Sequence, residues 1–134
     1  MRCAAARFKG DGMKIAEVSK RYGVSTDTLR YYERIGLLRH VPRNKSGIRD
    51  YDEASCNAVE FVKCMRDAGM SIESLVEYME LLEQGDETTA ARKELLLRQG
   101  DEIRERIAVL ERALARPEYK IEHYDEVMTA TERT

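Results

Sequence analysis

The apolar positions of this chain change their period several times, and each change marks an element. Ile15, Val18, Ser19 and Tyr22 recur at helical spacing, and Gly23 follows as a stop signal. Ser25 is a suitable N-cap and Asp27 falls in a first turn, where the helix dipole favours an acid. Leu29, Tyr32 and Ile35 then form a second stripe that ends at Gly36. The pattern predicts helix, short glycine turn, helix, which is the helix-turn-helix arrangement. Thr26, Asp27, Arg30, Tyr31 and Arg34 are left for the outer faces of the second helix.

From Leu38 to Tyr51 the helical period is lost. Pro42, Asn44, Ser46 and Gly47 carry turn chemistry, and Leu38, Val41, Ile48 and Tyr51 flank it as short strand candidates. A small β-hairpin wing is expected, with Arg43, Lys45 and Arg49 at its tip. Asp52 is placed to cap a third helix running to about Asp67, with Val59, Val62 and Met65 on its apolar face. Gly69 ends it, and Ser71 caps a fourth helix carrying Ile72, Leu75, Met79 and Leu82 as far as Gly85.

Asp86 opens a stretch to Arg116 without proline, in which Leu96, Ile103, Ile107, Leu110 and Leu114 keep the spacing of an a/d seam. Thirty residues of helix make a rod of roughly 45 Å. A stripe that long outruns what a small head can cover, so it is expected to pair with a second copy, making a homodimer. Pro117 is expected to terminate the rod, and Tyr119, Ile121, Tyr124 and Val127 to form a short helix that folds back. Gly100 inside the rod is compatible with a close approach or a bend. The organisation expected is an N-terminal extension (1–12), a head (13–84), a coiled-coil dimerisation helix (86–116) and a C-terminal short helix or tail (117–134). The fold class is mainly α with a β-hairpin wing.

Composition bounds the function. With 134 residues, 36% charged and 43% hydrophobic, the chain has room for one domain and an extension, not for a large catalytic architecture. No apolar run approaches the roughly 20 residues of a membrane span, so a soluble, cytoplasmic protein with no membrane partner is expected. The net charge of -2 hides an asymmetry. Residues 13–51 hold nine Lys/Arg against four Asp/Glu, whereas residues 52–134 hold 11 against 20. A basic head on an acidic body invites a polyanion partner.

Little else in the sequence carries chemistry. Cys3, Cys56 and Cys64 are odd in number and lack a CxxC spacing, so reduced thiols are expected rather than a disulfide framework or a zinc finger. The first twelve residues lack the apolar core of a secretory signal, and Met13 could be a natural start. His40 and His123 are solitary, no ligand cluster or nucleophile–base pair recurs, and no glycine-rich phosphate loop is present. No enzyme activity, metal or cofactor is expected. Two helices around a glycine also occur in proteins that never touch DNA. The basic head and dimer rod favour DNA, because Arg, Lys, Thr and Tyr donate to phosphates while a recognition helix reaches base edges.

The run Val24-Ser25-Thr26-Asp27-Thr28-Leu29-Arg30-Tyr31-Tyr32-Glu33-Arg34-Ile35-Gly36-Leu37-Leu38, followed by Arg43, Gly47, Arg49 and Tyr51-Asp52, resembles the MerR family of bacterial transcriptional regulators. The likeness continues through Gly69-Met70-Ser71-Ile72-Glu73 and the long helix, over residues 13 to 130. It implies winged helix-turn-helix heads joined by an antiparallel coiled coil. Such dimers act, nucleoid-associated, on pseudo-palindromic promoter DNA, which they distort so that RNA polymerase can read both promoter elements. By position, Ser25, Thr26, Arg30, Tyr31 and Tyr32 would serve the recognition helix, Arg43, Ser46, Arg49 and Tyr51 the wing, and Lys63 or Arg66 a phosphate. Ile48 stands where the family commonly has a tyrosine, which removes one wing contact to phosphate.

The resemblance also narrows the effector. The cysteines of the metal-sensing and iron-sulfur members are missing beyond Cys64, and only about 17 residues follow Pro117, too few for a large drug-binding domain. Cys64, within Lys63-Cys64-Met65-Arg66-Asp67-Ala68-Gly69, resembles the thiol of the branch that answers aldehydes, nitrosating agents or related electrophiles. Glu60 and Asp67 on its own helix disfavour a thiolate, so an activating cation would come from Lys63, Arg66, Lys120 or His123. Cys56 and Cys3 are read as without function. Two alternatives stand beside this: a regulator of the same family answering a non-covalent ligand with Cys64 as packing, and a dimeric coiled-coil adaptor whose basic head binds protein.

Overall fold

The computed structural model describes residues 12–127, with the side chain of Val127 excepted. The chain order is α1 (Ile15–Tyr22), α2 (Thr26–Arg34), α3 (Glu53–Asp67), α4 (Ile72–Glu83), a 3-10 turn (Asp86–Thr88), α5 (Thr89–Glu122) and α6 (Tyr124–Val127). Three helices begin on the caps expected of them. Ser25 Oγ accepts from Thr28 N at 3.1 Å, Asp52 Oδ1 from Ser55 N at 2.8 Å, and Ser71 Oγ from Ser74 N at 3.1 Å. Each satisfies an amide that the helix start leaves unpaired, for about 1 kcal/mol. Gly23 adopts φ 69°, a left-handed position that suits glycine, and its N–H returns to Ser19 O, which turns the chain sharply between α1 and α2.

Two apolar clusters hold the head. Val18, Val24, Leu29, Leu38, Tyr51 and Val59 lie in the first, which joins α1, α2 and the start of α3. Leu37, Val62, Met70, Leu75, Met79 and Leu95 form the second, which joins the end of α3, α4 and the first turns of α5. Fully burying a leucine is worth about 1.5–3 kcal/mol, so Leu29, Leu37, Leu38 and Leu75 dominate the head's cohesion. Leu95 draws the start of α5 into the head. The chain divides into two compact units between Leu95 and Leu96 rather than at the glycine before the rod.

The wing departs from expectation. Asn44 N donates to Ile48 O at 2.8 Å and Asp50 N to Pro42 O at 2.8 Å, so the segment does double back. It forms only a single antiparallel bridge, Arg43 to Arg49, and no extended strand occurs among the described residues. Pro42 has no N–H to donate, which stops the ladder at its first rung. A second isolated bridge joins Met13 to Tyr51, with N···O distances of 2.9 and 2.8 Å, and ties the start of the described chain to the end of the wing.

The rod departs as well, because α5 runs through Pro117 to Glu122 rather than stopping there. The proline removes the bond to the Ala113 carbonyl, but residues 111–120 are all exposed, so water can take that carbonyl. Along the second unit Ile107, Leu110 and Leu114 are 50%, 61% and 56% exposed. Among the described residues no helix is long and apolar enough to cross a membrane.

Candidate nucleic-acid interface

Helix α2 presents the residues the spacing predicted for recognition. Ser25 caps it, with its hydroxyl also donating to Thr28 Oγ1 at 2.8 Å. Thr26 is half-buried in the first turn, and Arg30 is exposed and paired to Asp27 at 3.1 Å. Tyr31 is exposed, and the Arg34 guanidinium lies 5.5 Å from its ring centroid, a distance suited to cation–π attraction. That pairing holds an aromatic face and a cation together at the helix surface.

Two positions carried over from the family pattern lie elsewhere. Tyr32 packs between the two apolar clusters, as its place in the Leu29-Tyr32-Ile35 stripe requires, so its ring serves the core. Tyr51 is fully buried, and its hydroxyl has no hydrogen-bond partner among the described residues. Burial raises its pKa, with the Arg49 charge opposing. Tyr51 supports the wing from beneath and does not offer a donor to phosphate.

The wing arginines are not loose. Arg49 Nε donates to Glu33 Oε1 at 2.7 Å, and an Arg43 terminal nitrogen donates to Glu33 Oε2 at 3.0 Å. One carboxylate on α2 therefore holds both arginines of the bridge. Arg30, Glu33, Arg34 and Arg49 line an open cleft of about 240 Å³ between helix and wing. Ser46 is exposed at the tip, its N–H donating to Asn44 Oδ1 at 2.9 Å. Glu33 was not among the expected site residues. A signal was present, since between Asp27 and Asp50 it is the only acid among Arg30, Arg34, Arg39, Arg43, Lys45 and Arg49.

On α3, Lys63 pairs with Asp67 at 2.9 Å, and its Cε lies against the Gly23 turn, beside the start of α2. Arg66 donates to Met70 O at 2.8 Å, closing the α3–α4 turn. Cys64 is half-buried in the last turn of α3. It is disulfide-bonded, contrary to the expected reduced thiol, and Cys3 lies outside the described residues. Cys56 is a buried free thiol facing Tyr22. Burial pushes the Cys56 thiol up, against a hydrogen bond from Tyr22 that lowers it, so Cys56 is a packing residue. No group of His, Cys, Asp and Glu among the described residues could hold a metal.

Comparison with known proteins agrees with this geometry. The profile of the MerR HTH family regulatory protein matches residues 13–82, and that described as "MerR, DNA binding" matches residues 57–116. The HTH-type transcriptional regulator AdhR of Bacillus subtilis is 56% identical over 84 residues, which is 63% of this chain and 60% of AdhR, so the match spans under two thirds of that relative. A MerR family transcriptional regulator from Listeria monocytogenes superposes with a TM-score of 0.81 at 43% identity, covering 90% of this chain and 92% of that one. HiNmlR, a MerR family regulator described as lacking the sensor domain and bound to promoter DNA, superposes with a TM-score of 0.80 at 28% identity, covering 89% of this chain and 94% of its own. With both profiles matched along the head and rod, this chain belongs to the MerR family of helix-turn-helix transcriptional regulators.

Proposed function

We propose that the chain works as a homodimer that binds pseudo-palindromic promoter DNA, distorts it, and so lets RNA polymerase use a promoter whose elements are poorly spaced. The observation that carries this is the cleft between α2 and the wing, where Arg30, Arg34 and Arg49 converge on one surface. Each guanidinium offers several N–H donors in a planar fork suited to phosphate. The exposed stripe Ile107, Leu110 and Leu114 on α5, with Leu96 and Ile103 at the same seam spacing, supports pairing with a second, antiparallel copy. Two heads then face two half-sites one or more helical turns apart. Bending the DNA costs about 1–6 kcal/mol, and an effector need tip only that balance.

Selection of bound duplexes from a random pool, followed by titration in increasing salt, tests the reading. A recovered palindromic motif and a steep linear fall of log K with log salt are expected, because each neutralised phosphate releases counterions. No motif and no salt dependence would favour a protein-binding adaptor instead.

For the effector, the reading is an electrophile, aldehyde or nitrosating agent, sensed at Cys64 in the reduced protein. Cys64 occupies the last turn of α3, next to the Ala68–Met70 turn that leads into α4, where added bulk would disturb the second apolar cluster. Buried Cys56 is a poorer nucleophile. In Cys64→Ser an unchanged transcriptional response to formaldehyde or a nitrosothiol would remove the thiol reading and leave a non-covalent ligand.

A further inference from the structure

We infer that Glu33 is a positioning residue for DNA reading: its carboxylate clamps the wing to the recognition helix and sets which guanidinium nitrogens remain for phosphate. Arg43 and Arg49 face each other across the single bridge of the wing, so their side chains emerge on one side with like charges opposed. Nothing in the wing's own backbone relieves that repulsion, since its pairing is one rung long. Glu33, from α2, lies between them and accepts from each, at 2.7 Å from Arg49 and 3.0 Å from Arg43. The wing is thereby fastened to the helix that enters the groove.

The geometry also divides the donors. Arg49 meets Glu33 through Nε, and among the described residues its terminal nitrogens make no hydrogen bond, which leaves their donors to the cleft that Arg49 lines. Arg43 is held by Glu33 through one terminal nitrogen and by Gly47 O through the other, at 3.4 Å. Arg49 is therefore the wing arginine presented to a phosphate, and Arg43 is the strut. Glu33 also places one negative charge among Arg30, Arg34 and Arg49, which restrains their attraction for any phosphate that does not match the fixed geometry. Such an acid lowers nonspecific affinity while keeping the specific arrangement, so its contribution is to discrimination.

This rests on the DNA-binding reading, and the experiment separates the two. Glu33→Gln keeps the shape but loses the charge, and where the carboxylate offers an oxygen to each arginine the amide sets an NH2 donor against one of them. Glu33→Asp keeps the charge on a shorter arm. Wild type and both variants are titrated with the duplex recovered by wild-type selection and with a mixed-sequence duplex of equal length, and amide hydrogen exchange is followed at Asn44 and Asp50. For Glu33→Gln the ratio of specific to nonspecific affinity should fall about threefold to tenfold, the scale of a half-exposed charged contact. The fall should come mainly from a rise in affinity for the mixed-sequence duplex, with faster exchange at both amides and an unchanged fold by circular dichroism. Glu33→Asp should restore part of the ratio. A ratio within roughly twofold of wild type in Glu33→Gln, below the change one charged contact makes, would overturn the role of Glu33. A merely structural loss would lower affinity for both duplexes in parallel with the Tm, and would overturn it too. If wild type itself shows no salt-dependent duplex binding, the DNA reading fails, whatever Glu33 does.

Discussion

Replacing Tyr51 by Phe tests whether its phenol serves the core or the DNA surface. The family pattern would have the phenol reach a phosphate, whereas the fold buries it completely, with no partner for its hydroxyl among the described residues. A buried hydroxyl without a hydrogen bond costs about 1–3 kcal/mol relative to water. Phenylalanine keeps the ring and removes that cost, giving up only the dispersion contacts of one oxygen, so a gain of about 1 kcal/mol is expected. In a head of this size 1 kcal/mol corresponds to a rise of about 4–8 °C in Tm. Urea unfolding followed by circular dichroism at one fixed protomer concentration reads the change, with an unaltered slope showing that the denatured state is the same. Affinity for the selected duplex should not move. Burial raises the Tyr51 pKa, so its contribution to stability is complete below the ordinary phenol pKa of about 10 and is lost as pH rises beyond it. Tyr51→Phe should therefore also soften the alkaline decline, while Tyr22 and Cys56, whose pKa values burial likewise raises, keep part of it. A destabilisation of about 1 kcal/mol would mean that the hydroxyl has a partner in solution. Weaker DNA binding with unchanged stability would mean that it meets a phosphate.

Other expectations follow from the rod and the cysteines. Leu110→Glu places a charge in the exposed stripe of α5 and should turn the proposed dimer into monomers by sedimentation equilibrium while the head keeps its own unfolding transition; an intact dimer would move the interface elsewhere. At Gly100 a Cβ would meet only the Arg104 side chain, at 3.9 Å, so Gly100→Ala should stabilise the helix by about 1 kcal/mol; a loss would show that a second chain's backbone approaches there. Cys56 should resist iodoacetamide at pH 8 in the folded protein and react once urea unfolds it, as read by peptide mass spectrometry. Labelling of Cys56 at the rate of a free thiol under native conditions would contradict its burial.

What the sequence determined by itself is local. The starts of α2, α3 and α4 rest on Ser25, Asp52 and Ser71, each bonded to an amide three residues on, and Gly23 turns the chain through its own left-handed conformation. Such interactions close within one turn of chain, so spacing and residue type reveal them. The exposed face of α2 was legible for the same reason, because a helix of period 3.6 that buries Leu29 turns Arg30 and Tyr31 outward. The tertiary structure decided the rest, where partners lie far apart in sequence or where burial depends on what covers a residue. Glu33 meets Arg43 and Arg49 across ten and sixteen residues. Tyr51, read as a wing contact, is buried because Met13 pairs with it and the first cluster closes over its ring. Leu95 belongs to the head because Leu37, Val62 and Leu75 form a surface that its own helix cannot supply. The helix can continue through Pro117 because the stretch is exposed, where solvent is able to satisfy the carbonyl that proline leaves unpaired. Periodicity says which residues seek burial, and only the assembled chain decides which of them obtain it and which charges meet.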